Sequence, residues 1–396
     1  MNYNVNIREE CFGATVMNLK TGKREYITKD ELDKITRNTI FPKDSIANID
    51  NEEYKIKFTE LKNKESKENY FSFADIAYIE ITRACNLKCK HCLNNSGTKM
   101  PNQLTKSELL TLISKLAESG IQEIRFTGGE PLVHPDIYEF IERATSLGLY
   151  TSIGTNGTLI TKKVAKELKK AGLNKAIVSI DGTEETHDSI RGTGNYRKTI
   201  DGIKNLKNNE IEVRVNAVVM KHNLENIIYL AKEMHNNKTS LFIRRFIESG
   251  RGTLLRDHTL NKKEYDYLRA SLSNELENGK YINGHYLRND EGIEHRIKLP
   301  FTFVKGCKAG QRALVIMPDG DIHLCGFLAA QGFKSVGNVR NVEDWKQYWD
   351  KIHEKDELEN LKENLDNYNK IPNIQTTNCL AYVQRFLNNE KEEAKC

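Results

Sequence analysis

From Ala77 onward, short apolar runs alternate with amphipathic stretches in a regular rhythm. Runs at Tyr78–Ile81, Glu123–Phe126, Tyr150–Gly154, Ala176–Ile180, Glu212–Val219 and Leu241–Phe246 predict strands. Between them, helical patterns cover Thr105–Ser119, Asp136–Leu147, Thr161–Ala171, Tyr196–Asn208 and Leu224–Asn236, and a further one follows near Lys262–Asn278. In Leu109-Leu110-x-Leu112-Ile113-x-x-Leu116-Ala117 the apolar positions recur at the spacing of one helix face. Strand–helix alternation of this kind predicts an α/β fold, a parallel sheet or partial barrel with helices outside. Six such units are too few to close an eightfold barrel, so one side is expected to stay open. Functional groups are then expected at the carboxyl ends of the strands.

The rhythm is missing at both ends. Phe12–Met17 and Arg24–Ile27 flank Thr21-Gly22 and read as a hairpin, and Thr28-Lys-Asp-Glu31 opens a short helix with a capping-box-like start. Residues 1–75 are therefore read as a small α+β appendage with little core of its own, 76–285 as the α/β core and 286–396 as a third unit. In that third unit, Arg312–Met317 and Asp321–Leu324 flank Pro318-Asp319-Gly320 as a second hairpin. Val342–Glu357 is expected to be helical, with Trp345 and Trp349, before a charged tail.

Composition narrows the class. Hydrophobic residues make up 38% of the 396 and charged residues 29%, the balance of a globular chain with a wet surface. No apolar run approaches the roughly 18–20 residues of a membrane span, and the polar N-terminus lacks a signal-like stretch, so a cytoplasmic protein with no membrane partner is expected. A net charge of +5 over so large a surface argues against nucleic acid as the main partner. The 8 cysteines change the picture more, because in a reducing compartment clustered thiols point to metal or catalysis. Cys85, Cys89 and Cys92 cluster, while Cys11, Cys307, Cys325, Cys379 and Cys396 are scattered.

The run Ile81-Thr-Arg-Ala-Cys85-Asn-Leu-Lys-Cys89-Lys-His-Cys92 directly follows the first predicted strand. Thiolates are soft ligands for zinc and for iron–sulfur clusters. Three on one loop suit three corners of a cubane with the fourth iron open, whereas a zinc knuckle would need His91 as its fourth ligand. Downstream, Thr127-Gly128-Gly129-Glu130-Pro131, Thr155-Asn156-Gly157-Thr158, Ser179-Ile180-Asp181-Gly182 and His187-Asp188-x-x-Arg191-Gly192 lie at the ends of successive strands or just beyond. With these elements in order over about Ile76 to Gly252, the chain resembles the radical S-adenosylmethionine superfamily.

The resemblance implies a partial (β/α)6 barrel of the radical SAM type. It implies a [4Fe-4S] cluster on Cys85, Cys89 and Cys92, and S-adenosylmethionine chelated to the open iron. Reductive cleavage would release a 5′-deoxyadenosyl radical that takes hydrogen from the substrate, with the electron delivered by a donor such as flavodoxin or ferredoxin. By the same resemblance Gly128, Gly129 and Glu130 receive the methionyl amino group, Ser179 contacts the ribose, Arg191 meets the carboxylate, and Asn216 and Val218 lie near the adenine. Asn156, in the third of these segments, joins the cofactor-binding candidates.

Cys307-x12-Gly320-x4-Cys325, followed by Gly337-Asn338-Val339-x5-Trp345, resembles the start of the auxiliary-cluster domain called SPASM, or its shortened form, twitch. The later cysteines of the full SPASM pattern are absent. One auxiliary iron–sulfur cluster is expected on Cys307, Cys325 and Cys379, its fourth position filled by Cys396 or substrate, or left open. Cys11 reads as a hairpin core residue. Enzymes with such C-termini include maturases of ribosomally made peptides, which implies a precursor peptide as substrate. The appendage hairpin could then pair its edge with a leader peptide. Two alternatives stay open: a radical SAM enzyme acting on a small molecule, as a dehydrogenase or in cofactor biosynthesis, and a zinc-stabilised scaffold or nucleic-acid-binding protein. Arg244, Arg245 and Arg251 could line a carboxylate pocket or serve as surface ion-pair partners.

Overall fold

The computed structural model describes residues 3–36, 44–49, 52–60, 70–277, 281–284 and 309–353, with residues 360, 363, 364 and 367 beyond them. The chain opens with β1 (Val5–Glu10), β2 (Gly13–Asn18), β3 (Arg24–Thr28), α1 (Lys29–Thr36), β4 (Asp44–Ile49) and β5 (Glu52–Thr59). These strands form a five-stranded sheet in the order β3-β2-β1-β5-β4. The predicted hairpin is β2 and β3, and the predicted helix start is realised at Thr28: its Oγ1 accepts from the Glu31 N–H at 3.3 Å, and Glu31 Oε2 accepts from the Thr28 N–H at 2.8 Å. The apolar cluster of this sheet is small, built on Val5, Ile7, Ala14, Leu32 and Ile56. Strands β1, β4 and β5 went unpredicted: charged residues interrupt β1 and β5, and β4 is short with only Ile46 and Ile49 as large apolar residues.

The core follows as β6 (Ile76–Thr82), α2 (Lys106–Glu118), β7 (Glu123–Gly128), α3 (Ile137–Ser146), β8 (Tyr150–Thr155), α4 (Lys162–Lys170) and β9 (Lys175–Ser179). It continues with α5 (Glu184–Arg191), α6 (Asn195–Asn208), β10 (Glu212–Val219), α7 (Leu224–Asn236) and β11 (Ser240–Arg245). From β6 to β11 every strand lies parallel to the next, in chain order. This is the predicted open parallel α/β barrel. The remaining elements are α8 (Lys262–Ser271), α9 (Ser273–Glu277), β12 (Ile282–Gly284), β13 (Ala313–Ile316), β14 (Asp321–His323), α10 (Gly326–Ala330), β15 (Gly337–Asn338) and α11 (Trp345–His353). The sheet grows at both edges: β12 joins β11, and β13 lies parallel to β6, carrying the predicted β13–β14 hairpin with it. Helix α5, unpredicted, has few apolar residues, and the predicted helix after β11 is broken at Leu272. Among the described residues no helix is long and apolar enough to cross a membrane.

Alternation along each strand separates two faces. Ile124, Phe126, Val213, Val215, Ala217, Leu241 and Ile243 are buried in the shell between sheet and helices, with Ile113, Leu116, Phe140 and Ile141 from the helices. Each such side chain contributes about 1.5–3 kcal/mol. The other face holds Arg125, Thr127, Arg214, Asn216, Val218, Phe242 and Arg244, all half-buried. The helices shield the apolar face, and the lumen is left polar.

Asp75, the residue before β6, joins the three parts of the chain. Its buried carboxylate accepts from Arg8 Nη2 at 2.9 Å, Arg312 Nε at 2.7 Å and the Tyr26 hydroxyl at 3.2 Å. Arg8 also donates to Glu10 Oε1 at 2.8 Å and to the Ala74 carbonyl at 2.8 Å. From the other end of the chain, the buried Trp349 donates through Nε1 to the Phe71 carbonyl at 2.8 Å. Removing one partner from a buried charge network strands the others. Asp75→Asn is therefore expected to destabilise the protein by about 3–5 kcal/mol, read as a lower urea midpoint. An unchanged midpoint would show that the network is not a fastening.

Candidate functional site

The loop after β6 carries Cys85, Cys89 and Cys92 across the carboxyl rim of the sheet. Its backbone is tied to itself by Cys85 N–H to Gly97 carbonyl at 3.0 Å, Gly97 N–H to Arg83 carbonyl at 3.1 Å and Cys92 N–H to Cys89 carbonyl at 3.3 Å. Each sulfur meets an N–H donor: Leu87 N at 3.4 Å from Cys85 Sγ, Ser96 N at 3.4 Å from Cys92 Sγ, and Arg191 Nη1 at 3.9 Å from Cys89 Sγ. Burial pushes the Cys85 thiol up to about 11 and raises that of Cys89 as well, against the pull of Arg191. Such thiols keep their protons at neutral pH unless a metal cation replaces them, which suits ligands better than free nucleophiles. Donors aimed at sulfur are what a thiolate bound to iron requires from its surroundings. Among the described residues, no three His, Cys, Asp or Glu side chains converge as a single ion would need.

Three sets of contacts hold this loop. Arg251 is the first: its Nε donates to the Cys89 carbonyl at 2.8 Å, and Nη1 to Ser96 carbonyl at 2.8 Å and Asn95 Oδ1 at 3.0 Å. This settles its two sequence readings in favour of neither, since its partners are loop carbonyls and an amide. The second is close backbone packing. Gly129 N–H donates to the Thr82 carbonyl at 2.8 Å, and a Cβ on Gly128 or Gly129 would lie 2.2 Å from the Thr82 or Ala84 carbonyl oxygen. The glycines of Thr127-Gly128-Gly129-Glu130 thus admit the root of the cysteine loop.

The third is a buried charge network. Asp181, just past β9, accepts from Arg191 Nε at 2.6 Å and lies 2.9 Å from His91 Nε2, while its other oxygen accepts from the Val218 N–H at 2.9 Å. Burial alone would raise its carboxyl; Arg191 and His91 together bring it below the usual carboxylate range. His91 is therefore engaged through Nε2, and Arg191 is occupied by Asp181, with its remaining nitrogens toward Cys89 and His91.

The other expected residues occupy the rim of the neighbouring strands. Glu130 is wholly buried, with Oε1 accepting from Thr155 Oγ1 at 2.8 Å and Leu132 N–H at 3.2 Å, and Oε2 from Asn156 N–H at 2.7 Å. It joins the ends of β7 and β8 instead of facing open space. Burial pushes its carboxyl up to about 7, against those hydrogen bonds. Asn156 donates to Asn86 Oδ1 at 2.9 Å, linking the third strand end to the cysteine loop. Ser179 and Asn216 are register partners on β9 and β10, and Asn216 Oδ1 is buried with no hydrogen-bond partner. Beside the loop lies a cavity of about 430 Å³ lined by Arg83, Asn94, Met100, Gly250, Met317 and Ala330.

Cys325 is half-buried at the start of α10. Cys307, Cys379 and Cys396 lie outside the described residues, and Cys11 sits in the turn between β1 and β2. Arg244 faces the lumen, whereas Arg245 is buried on the other face with Nε 3.2 Å from the Tyr265 hydroxyl. Sequence reasoning missed Asp181 and Arg251 as fastenings. Asp181 stood inside a quoted motif without a role, and nothing local in the sequence tells that Arg251 reaches back to residue 89.

Residues 79–234 match the family model described as Radical SAM superfamily. An AdoMet-dependent heme synthase of Methanosarcina barkeri is 31% identical over 292 residues, covering 68% of this chain and 80% of that protein. The mycofactocin maturase MftC of Mycobacterium ulcerans is 28% identical over 277 residues, covering 68% of this chain and 73% of that protein. Among solved structures, SuiB of Streptococcus suis bound to its precursor peptide SuiA superposes with a TM-score of 0.64 at 19% identity, over 88% of both chains.

Two buried groups near the rim titrate in opposite senses. Burial lowers His187 to about 4, so the unfolded chain takes up a proton that the fold refuses, and stability is lost as pH falls from 6.5 toward 4. Glu130, raised to about 7, does the reverse: stability falls as pH rises from 4.5 toward 7. Each effect is about 3 kcal/mol, so the two offset. The His187→Gln variant is expected to lose stability as pH rises from 4.5 to 7 while the parent stays nearly level in urea unfolding. Parallel curves for the two proteins would contradict this.

Proposed function

The chain belongs to the radical SAM superfamily, and from that premise we propose that Cys85, Cys89 and Cys92 hold its [4Fe-4S] cluster beside bound S-adenosylmethionine, in the service of hydrogen abstraction from a ribosomally made peptide. Bound together, the two cofactors supply an electron transfer that breaks the sulfonium–C5′ bond and leaves a radical able to take hydrogen from an unactivated carbon. The observation that carries the reading is the loop itself: three thiols at the carboxyl rim of a parallel sheet, each sulfur meeting an N–H donor.

The chain's own residues position and shield. Arg251 and the Asp181–Arg191 pair fix the loop, and Arg191 offsets negative charge at Cys89. Gly128 and Gly129 keep the strand end thin against the loop, and Glu130 with Asn156 holds the next strand end in place. Ser179 and Asn216 form the edge for the nucleoside. The orphaned Asn216 Oδ1 suits an amino N–H such as adenine offers.

For the substrate, the peptide reading is supported by the N-terminal sheet, whose strand β3 pairs on one side only among the described residues, and by the likeness in fold to SuiB along most of both chains. MftC, named as a maturase, points the same way. A second reading, a small molecule, is favoured by the 31% identity to a heme synthase. We assign residues 1–75 to an appendage, 76–285 to the core and 286–396 to a twitch-like unit. Its auxiliary cluster would use Cys307, Cys325 and Cys379, with Cys396, substrate or an open position as the fourth, and the electron would come from a flavodoxin or ferredoxin in the cytoplasm.

Anaerobically reconstituted protein with dithionite is expected to convert S-adenosylmethionine to 5′-deoxyadenosine, and Cys89→Ala to abolish this; a colourless, iron-free product would end the proposal. Arg251→Ala is expected to lower bound iron several-fold with the secondary structure intact. Mass spectrometry of short peptides encoded beside the gene, co-expressed with the enzyme, separates the substrate readings: a mass change supports the peptide, and unmodified peptide alongside an altered tetrapyrrole supports the small molecule.

A further inference from the structure

The lumen face holds a charge imbalance that the cofactor assignments above do not use. On β10 the half-buried positions are Arg214, Asn216 and Val218; on β11 they include Phe242 and Arg244. The register sets Ser179, Asn216 and Phe242 side by side across three strands. One pleat below Asn216 is Arg214, and one pleat above Phe242 is Arg244. Both guanidinium carbons lie 5.5 Å from the centroid of the Phe242 ring, a geometry in which the ring orients two cations that would otherwise repel each other.

The acids on this face are already matched. Glu80 receives Asn94 Nδ2 at 2.7 Å and lies 3.2 Å from Arg83. Glu123 accepts from Arg125 Nη2 at 3.0 Å and from Ser152 Oγ at 3.1 Å. Among the described residues neither Arg214 nor Arg244 has a carboxylate partner, and Arg214 Nε is buried with no hydrogen bond. The cost is visible in acidity: burial, together with Arg125 and Arg244, pushes Arg214 down to about 10. A desolvated cation with no carboxylate partner among the described residues is expensive for the fold, and a ligand carrying one would offset that cost.

We infer that the substrate carries carboxylate groups and enters the lumen with them toward Arg214 and Arg244, on either side of Phe242. The inference rests on the proposed radical SAM reading and adds a chemical class to its substrate. The guanidinium fork matches a carboxylate in two parallel hydrogen bonds. Phe242 holds the two guanidinium groups near each other, and its register neighbour Asn216 is the residue assigned to the nucleoside edge. The acid thus anchors one end of the substrate while its carbon atoms lie toward the radical. Acidic peptide side chains and the propionates of a tetrapyrrole present the same group.

The test is binding to the reconstituted holoenzyme, with S-adenosylmethionine present and no reductant. The probes are a hexaglutamate peptide against hexaglutamine, and coproporphyrin III against its tetramethyl ester. At least one acid is expected to bind about tenfold or more tightly than its neutral counterpart, and which acid does so identifies the source. Arg214→Gln and Arg244→Gln should each remove most of that preference. Arg197→Gln, an exposed arginine paired with Glu184, should leave it intact. Equal binding of acid and neutral forms, no binding of either acid, or undiminished preference in both lumen variants overturns the inference. Should the variants fail to fold, the comparison of acid with neutral probe on the parent protein still decides. Loss of S-adenosylmethionine cleavage by the parent would instead defeat the proposed function, so the two failures are separable.

Discussion

The carboxylate of Asp181 is the point at which the cysteine loop is fastened to the barrel. One oxygen meets Arg191 and His91, the other the backbone of β10, and the residue's own carbonyl accepts from Asn223 Nδ2 at 3.0 Å. Three stretches of the chain, around His91, Asp181–Arg191 and Val218–Asn223, are thereby held at one buried charge. Coulombic attraction in a dry site is strong and short-ranged, so the position of each partner is set closely. Arg191 then turns a remaining nitrogen toward Cys89, so an acid three strands over from the loop's origin positions the cation beside that sulfur.

Around that point the molecule divides its chemistry by face. The helix-covered side of the sheet is apolar and fixes the strand order, while the lumen side is charged and half-open. A lumen lined by leucine would be more stable and would recognise little. Arginines with no carboxylate partner among the described residues are tolerated because the shell on the other face supplies the stability. At the opposite end of the strands, Asp75 performs the same kind of fastening as Asp181, tying the N-terminal sheet and β13 to the start of β6. Both ends of the barrel thus rely on a buried carboxylate paired with arginine.

Much of the site was legible because it is local. The three cysteines, the Gly128-Gly129-Glu130 segment and Ser179 each sit where a strand ends, and strand ends are visible from periodicity. What those residues do was less legible. Glycines expected to face a ligand admit the loop backbone, and Glu130, expected at an ammonium, is enclosed by Thr155, Leu132 and Asn156. In both cases the neighbour that defines the role comes from a different strand.

The sequence by itself determined the alternation of strand and helix, the open parallel architecture, the cysteine loop at the first strand's end and the superfamily to which these belong. Those features follow from spacing along the chain, which hydrophobic periodicity and ligand chemistry read directly. Only the tertiary structure decided that Arg251 grips Cys89 from 162 positions away, that Arg244 and Arg245 point to opposite faces, and that β13 joins the core sheet beside β6. Such contacts depend on strand register and on which face a side chain occupies. A shift of one residue reverses that face, and local composition leaves the register unspecified.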